Sequence, residues 1–490
     1  MRSRTSASLL ALIVIVLQAI AARAIAAEKP NIIYIIADDL GYGDVQCLNP
    51  ERGMIATPHL DRLASQGMTF TDSHSGSAVC TPTRYGLLTG RYAWRTRLQQ
   101  GVLDGGDDEP LIVSERLTVP QLLKQHGYTT ACLGKWHLGY LSERPADAGS
   151  SPARGKKAKA AENTPPVGSK IVGGPTTRGF DLFWGCSNAR TMKALVENDR
   201  VIESLEPVDM LPRLAARAVQ YIDDRAADSR AGTPFFLYLP LTSPHTPIVP
   251  APEWQGKSPL GSYADFVMQT DAVVGQVLTA LDDAGLADST LVVFTSDNGC
   301  SPAAKTNQLE QAGHFASAGF RGYKADIWEG GHRVPFFVRW PGRIAAGSRS
   351  DQLICHSDLM ATCAELIGAT LPPEAGEDSV SILPVLLGKA TAPVHEAVVH
   401  HSISGRFAIR QGSWKLCLCA GSGGWSKGGD AESPQLYRLD TDPGEQHNVE
   451  AANPDVVMRL TKLLEDYRAR GRSTPGPDRT NDVPIELFKP

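Results

Sequence analysis

Asn31-Ile32-Ile33-Tyr34-Ile35-Ile36 is an unbroken apolar, β-branched run that stops at Asp38-Asp39. A strand with one wet face alternates apolar and polar residues, whereas a continuous run suits a strand buried on both faces of a parallel sheet. Runs of the same kind predict strands at 129–133, 234–241, 291–295 and 336–340. Between them, apolar residues recur at helical spacing over 117–126, 211–227 and 263–284. A further helix opens at Thr57-Pro58, with Thr57 as N-cap and Pro58 in the first turn, and ends at Gly67. This alternation predicts an α/β fold: a large mixed, mostly parallel sheet sandwiched by helices.

From about Glu396 the rhythm changes. Short strands at 397–400, 407–410, 414–417 and 435–439, then a helix at 454–468, predict a smaller C-terminal antiparallel sheet plus helix. Residues after Ser473 read as an extended tail. Residues 145–170 are rich in Pro, Ala, Gly and Lys without apolar period, and are expected as a surface loop. Arg154, Lys156, Lys157 and Lys159 make its middle basic; a solvated loop is the plain expectation, a contact for a polyanionic substrate the sharper one. The expected division is a signal peptide at 1–27, a catalytic domain at 28–395 and a C-terminal subdomain with tail at 396–490.

Arg2 and Arg4, the apolar run 9–17 and the small residues at 21–27 follow the order of a secretory signal peptide. Gln18 and Arg23 cut the apolar run well short of the roughly 20 residues that span a bilayer. The expected product is therefore secreted or periplasmic, with no membrane span. Among 490 residues, 42% hydrophobic and 21% charged, a formal net charge of −5 gives no electrostatic ground for a nucleic-acid partner. Nine cysteines show no Cys-x-x-Cys zinc spacing; in an oxidising compartment some could pair, leaving an odd one over.

In Cys80-Thr81-Pro82-Thr83-Arg84, Pro82 sits just inside a helix start and places Cys80 near the N-cap, where backbone N–H groups and the helix dipole favour an anion. Arg84 lies one turn on and can return its guanidinium to that end. On spacing alone, a capped helix with an incidental cysteine is the better reading. Asp38-Asp39 and Asp297-Asn298 each close a predicted strand. Ligands collect at the carboxyl ends of parallel strands, so the two oxygen-rich tips can meet there as a hard site for Ca²⁺ or Mg²⁺ rather than zinc. Each pair alone could be a turn or helix cap, and for an isolated Asp-Asp that is the better reading.

The full run from Ala78 to Gly90 changes this balance, because it resembles the signature of the sulfatase family at every constrained position. The run Gly127-Tyr128-Thr129-Thr130-Ala131-Cys132-Leu133-Gly134-Lys135-Trp136-His137-Leu138-Gly139 resembles the family's second signature, and Leu436 to Glu445 its C-terminal marker. The resemblance implies an alkaline phosphatase-like fold and hydrolysis of sulfate monoesters, with Cys80 oxidised to formylglycine by a maturation enzyme. It implies Ca²⁺, with Mg²⁺ second, on Asp38, Asp39, Asp297, Asn298 and an oxygen of the modified residue 80. Arg84, Lys135 and Lys324 then neutralise sulfate, Asp297 acts as base, and His245 with Lys324 protonates the leaving alcohol. His137 takes a proton from the second hydroxyl of the hydrated aldehyde to release sulfate. Without the resemblance, His245 reads as an ordinary residue after a strand and Lys324 as solvent-exposed. The general pattern is similar to the arylsulfatase A and N-acetylgalactosamine-6-sulfatase branch, and the expected substrate is a sulfated sugar or polysaccharide. Two alternatives stand beside it: a phosphonate or phosphate ester hydrolase of the same fold, and a non-catalytic binder of sulfated glycans if Cys80 stays unconverted.

Overall fold

A computed structural model describes residues 29–105, 107–145, 164–428 and 433–489. The signal-like segment 1–27 and the basic residues Arg154, Lys156, Lys157 and Lys159 lie outside the described residues. No helix among those described is long and apolar enough to cross a membrane.

Twelve strands form one mixed sheet. Its centre is parallel, in the order Thr290–Ser296, Asn31–Asp38, Phe235–Pro244, Thr129–Lys135 and Leu182–Cys186. Shorter antiparallel strands extend it, Phe336–Arg339 and Met68–Phe70 on one side, Ala194–Glu197 and Arg200–Ser204 on the other. All eight residues of Asn31–Asp38 are buried. Ile33, Ile35 and Ala37 enter one core and Ile32, Tyr34 and Ile36 another, so the period of two separates two cores instead of core from water. Helices Pro207–Arg230 and Ser262–Asp283 cover the first face; Cys80–Thr89, Val119–Gln125 and Leu359–Leu366 cover the second.

The boundaries move for local reasons. The helix expected from Leu117 begins at Val119, because Thr118 is the N-cap in a reciprocal capping box with Gln121. The helix expected from Leu211 starts one turn earlier, at Pro207, and carries Pro212 within it. Thr57 holds the N-cap position of Pro58–Gln66 but caps nothing with its side chain; its Oγ1 accepts from Gln46 N and donates to Asp61. All nine cysteines are free thiols, so the expected possibility of disulfides is not realised.

The small sheet consists of Val398–His401, Phe407–Gln411, Trp414–Cys417 and Gln435–Arg438, all antiparallel. Helix Pro454–Ala469 backs it, and Leu460, Leu464 and Tyr467 share a core with Tyr92 and Trp94. A buried ionic layer also joins it to the large sheet, with Arg410 on Asp72 at 2.7 Å and Lys415 on Glu329 at 3.0 Å and Glu445 at 2.8 Å. Residues 474–489 contain no helix or strand, yet they are not a free tail. Asp482 pairs with Arg91 at 3.0 Å, and Ile485 and Leu487 are buried in the same core.

Arg95 and Asp378 fasten these parts. Arg95 Nε and a terminal nitrogen donate to the two Asp378 oxygens at 2.8 Å each, and its other terminal nitrogen donates to Tyr467 O and Asn481 Oδ1. Both side chains are fully buried, and Arg95 and the backbone N–H groups of Tyr92 and Ser473 hold the Asp378 carboxyl below its usual range against burial. Asp378→Asn strands a buried guanidinium, and is expected to lower unfolding free energy by about 3 kcal/mol, read from urea denaturation.

Candidate active site

Register in the parallel sheet brings the two acidic tips together. Ala37 pairs with Ser296, Asp297 N donates to Ala37 O at 3.0 Å, and Asp39 N donates to Asp297 Oδ1 at 3.2 Å. Asp39 and His137 both adopt left-handed backbone angles, φ 70° and 55°. Non-glycine residues resist that region, so strain is stored where the site is built. Gly134 is required by packing: a Cβ there would lie 2.0 Å from Pro240 O of the neighbouring strand. Its absence lets Thr129–Lys135 lie against Phe235–Pro244 and carry Lys135 to the sheet's end.

Cys80 is the first residue of helix Cys80–Thr89, just past the N-cap Val79, and the helix is buried throughout. Its Sγ and one oxygen each of Asp38 and Asp297 lie within 4.8 Å of one another. Burial pushes the Cys80 thiol up, against the pull of Lys135 and Lys324. The helix N-terminus adds partial positive charge at this position.

Cations answer each buried carboxylate. Lys135 Nζ donates to both Asp38 oxygens at 2.9 and 2.8 Å. Lys324 Nζ donates to Asp39 Oδ1 at 2.5 Å. Arg84 donates to Asp297 Oδ2 from Nε at 3.1 Å and from a terminal nitrogen at 2.7 Å, while its other terminal nitrogen donates to Lys135 O. Burial raises the Asp38 and Asp39 carboxyls, but Lys135 and Lys324 respectively, with His245, hold both below their ordinary value. Arg84 thus pairs with Asp297, whose carboxylate lies beside Cys80, so its guanidinium returns to the start of the helix with a buried partner there.

The two histidines are oriented by backbone carbonyls. His137 Nε2 donates to Leu103 O at 2.8 Å, leaving Nδ1 buried without a partner. Burial, then Lys135, drives its pKa well below the ordinary value, so the ring is neutral with a bare Nδ1. His245 Nδ1 donates to Thr246 O, which turns Nε2 towards Asp39 Oδ2 at 3.7 Å. Burial also lowers the His245 pKa, against Asp38 and Asp39.

Asn298 tests whether the site suits a cation. Its Nδ2 donates to Asp39 Oδ1 and Gly299 O, while its Oδ1 is buried and unpartnered. A buried orphan acceptor among three carboxylates is what a hard divalent cation accepts as a ligand set, so Asp38, Asp39, Asp297 and Asn298 fit Ca²⁺ or Mg²⁺.

A cavity of about 260 Å³ opens over this floor. Cys80, Lys135, His137, His245 and Lys324 line it; Arg84, Asp38, Asp39, Asp297 and Asn298 lie beneath its wall. It is also lined by Leu103, Asn188, Arg190, Ile403 and Trp425, none of which stands out in the sequence. These sit on connections without apolar period, and only the Gly-rich run Gly421-Ser422-Gly423-Gly424 before Trp425 marks a tight turn.

Comparison with known proteins agrees with this arrangement. The family model described as Sulfatase matches residues 30–369, and that of the N-sulphoglucosamine sulphohydrolase C-terminal region matches 323–470. The chain is 33% identical to an N-acetylgalactosamine-6-O-sulfatase of Bacteroides thetaiotaomicron, over 90% of this chain and 94% of that protein. It is 35% identical to human arylsulfatase A, over 91% and 89% of the two chains. A solved 6S-sulfatase structure from glycosaminoglycan metabolism in Bacteroides thetaiotaomicron superposes with a TM-score of 0.76 at 30% identity, covering 90% of this chain and 99% of that one. A match of this extent, in sequence and in fold, places the chain in the sulfatase family, as an enzyme that hydrolyses sulfate esters.

Proposed function

We propose that the chain removes sulfate from a sulfated sugar or polysaccharide, using a formylglycine made from Cys80 and a calcium ion held by Asp38, Asp39, Asp297 and Asn298. The observation that carries this reading is the convergence of Cys80 Sγ with Asp38 and Asp297, beside the unpartnered Asn298 Oδ1, at the floor of one cavity. A maturation enzyme is the implied partner, and the implied address is secreted or periplasmic. In this reading residues 28–395 carry the reacting groups and 396–490 close one side of the cavity through Ile403 and Trp425.

A hydrated formylglycine at position 80 would supply a hydroxyl nucleophile and a second hydroxyl for sulfate release, and calcium held by Asp38, Asp39, Asp297 and Asn298 would supply positive charge to the sulfate ester. The remaining work belongs to the chain. Lys135 and Lys324 present ammonium groups along the cavity wall, where low dielectric strengthens their hold on charge developing in the transition state. Asp297, fixed by two bonds from Arg84, is the base at residue 80. In its imidazolium form, which Asp38 and Asp39 favour against burial, His245 donates from Nδ1 to Thr246 O and, with Lys324, delivers the Nε2 proton to the departing alcohol oxygen. The bare Nδ1 of His137 accepts a proton when sulfate leaves.

Sulfate release from a panel of sulfated sugars and an aryl sulfate, with an aryl phosphonate as counter-substrate, tests the reading. Cys80→Ala and Asp297→Asn are expected to fold, the latter because Asp38 still lies 3.6 Å from Arg84, and to lose roughly 10⁴-fold or more in turnover. Normal turnover in either variant, or faster turnover of the phosphonate, would overturn it. For the metal, restoring calcium to chelator-treated protein at about 100 times its dissociation constant is expected to raise unfolding free energy by about 2.7 kcal/mol. Thermal unfolding with Asn298→Ala as the weakened site reads this directly.

A further inference from the structure

Two residues on the cavity wall have no part in the chemistry above, and each is held by a backbone built to hold it. Trp425 is a large aromatic residue left 46% exposed. Its loop is nonetheless pinned to the segment that carries Lys324: Asp326 Oδ1 accepts from Trp425 N at 2.9 Å and Ser426 N at 3.0 Å. Asp326 Oδ2 accepts from Ser426 Oγ at 2.5 Å, and Ile327 N donates to Ser422 O. A Cβ on Gly424 would lie 2.3 Å from Ala325 O, so the loop packs backbone to backbone against residue 325. An exposed indole on a fixed backbone presents a flat apolar face with little further ordering cost on binding.

Arg190 stands on the turn after strand Leu182–Cys186. Buried Asn188 shapes that turn, its Oδ1 accepting from Arg190 N at 2.7 Å and Thr191 N at 3.1 Å, and its Nδ2 donating to Asp104 O at 2.7 Å. The turn is tied to the catalytic strand, since His137 N donates to Ser187 O at 2.6 Å. The Arg190 guanidinium is exposed and forms no ion pair or side-chain hydrogen bond among the described residues. An unpaired arginine on open surface would carry no meaning. This one lines the same cavity as Cys80, outside the balance of Arg84, Lys135 and Lys324 with Asp297, Asp38 and Asp39.

We propose that Trp425 and Arg190 form a substrate-reading subsite above the sulfate pocket: the indole stacks on the C–H face of the sulfated sugar, and Arg190 binds a second anionic group carried by the same saccharide. The negative π-face of an indole attracts the weakly positive C–H array of a pyranose. A guanidinium takes a carboxylate or a sulfate through two parallel N–H bonds. The inference rests on the sulfatase reading above and adds the chemical class of its substrate.

The test compares kcat/KM for a singly sulfated sugar, a disulfated sugar and a sulfated sugar linked to a uronate, alongside competitive inhibition by inorganic sulfate. Sulfate reads the inner pocket alone. Trp425→Ala is expected to weaken saccharide turnover roughly tenfold relative to the change in sulfate inhibition, with Trp425→Phe recovering part of it. Arg190→Ala is expected to lower the preference for doubly over singly anionic saccharides by roughly 10- to 100-fold, with Arg190→Lys recovering part of it. The disulfated and uronate arms distinguish which anion Arg190 takes. If Trp425→Ala moves saccharide turnover and sulfate inhibition together, or Arg190→Ala slows all saccharides equally, the subsite is overturned. Absence of sulfate release from every ester by the matured wild type would instead overturn the underlying reading.

Discussion

Three carboxylates, Asp38, Asp39 and Asp297, are buried together at the ends of two neighbouring strands. Like charges so close in a low-dielectric interior repel strongly, and burying them together requires a cation beside each. Lys135, Lys324 and Arg84 meet that demand from three separate parts of the chain. The sheet order, the close passage at Gly134 and the buried Cys80 helix are the means by which those cations reach the carboxylates. The proposed chemistry needs the same groups, so electrostatic compensation of the fold and the electrophilic character of the pocket are one arrangement.

The small C-terminal sheet is bound into this arrangement by two different kinds of contact. Its core is shared with Tyr92 and Trp94, just beyond the Cys80 helix, and its polar face is joined through Asp72, Glu329, Arg410 and Lys415. Close to the site, Ala78 N donates to His401 O and Ala325 N donates to Ala78 O. The backbone just before Cys80 is thus held partly by residues more than half the chain away.

What was legible in the sequence follows burial. Asn31–Asp38 has both faces covered, so its apolar run carried an unambiguous signal, and the parallel sheet followed from it. Short flanking strands such as Lys170–Val172 and Arg200–Ser204 alternate exposed and covered positions over too few residues to be told from loops. In the site, Cys80, Lys135, His137, His245 and Lys324 were found by motif and all line one cavity. Spacing returned the Arg84 guanidinium to the start of the Cys80 helix but could not name its partner Asp297, a neighbour only in the folded sheet. Arg190 and Trp425 left no trace, since a side chain that faces a ligand need not match any partner within the chain.

The long reach of these contacts sets an order of events during synthesis. Ala78 is capped by His401, which leaves the ribosome roughly 15–60 s later at about 5–20 residues per second. Until then the segment leading into the Cys80 helix lacks this partner, and the thiol belongs to an incomplete chain. Topology therefore sets an interval before Cys80 is fully enclosed, and docking of the small sheet ends it. In that sense the C-terminal strands act as a clock on the enclosure of Cys80 as much as a wall of the pocket.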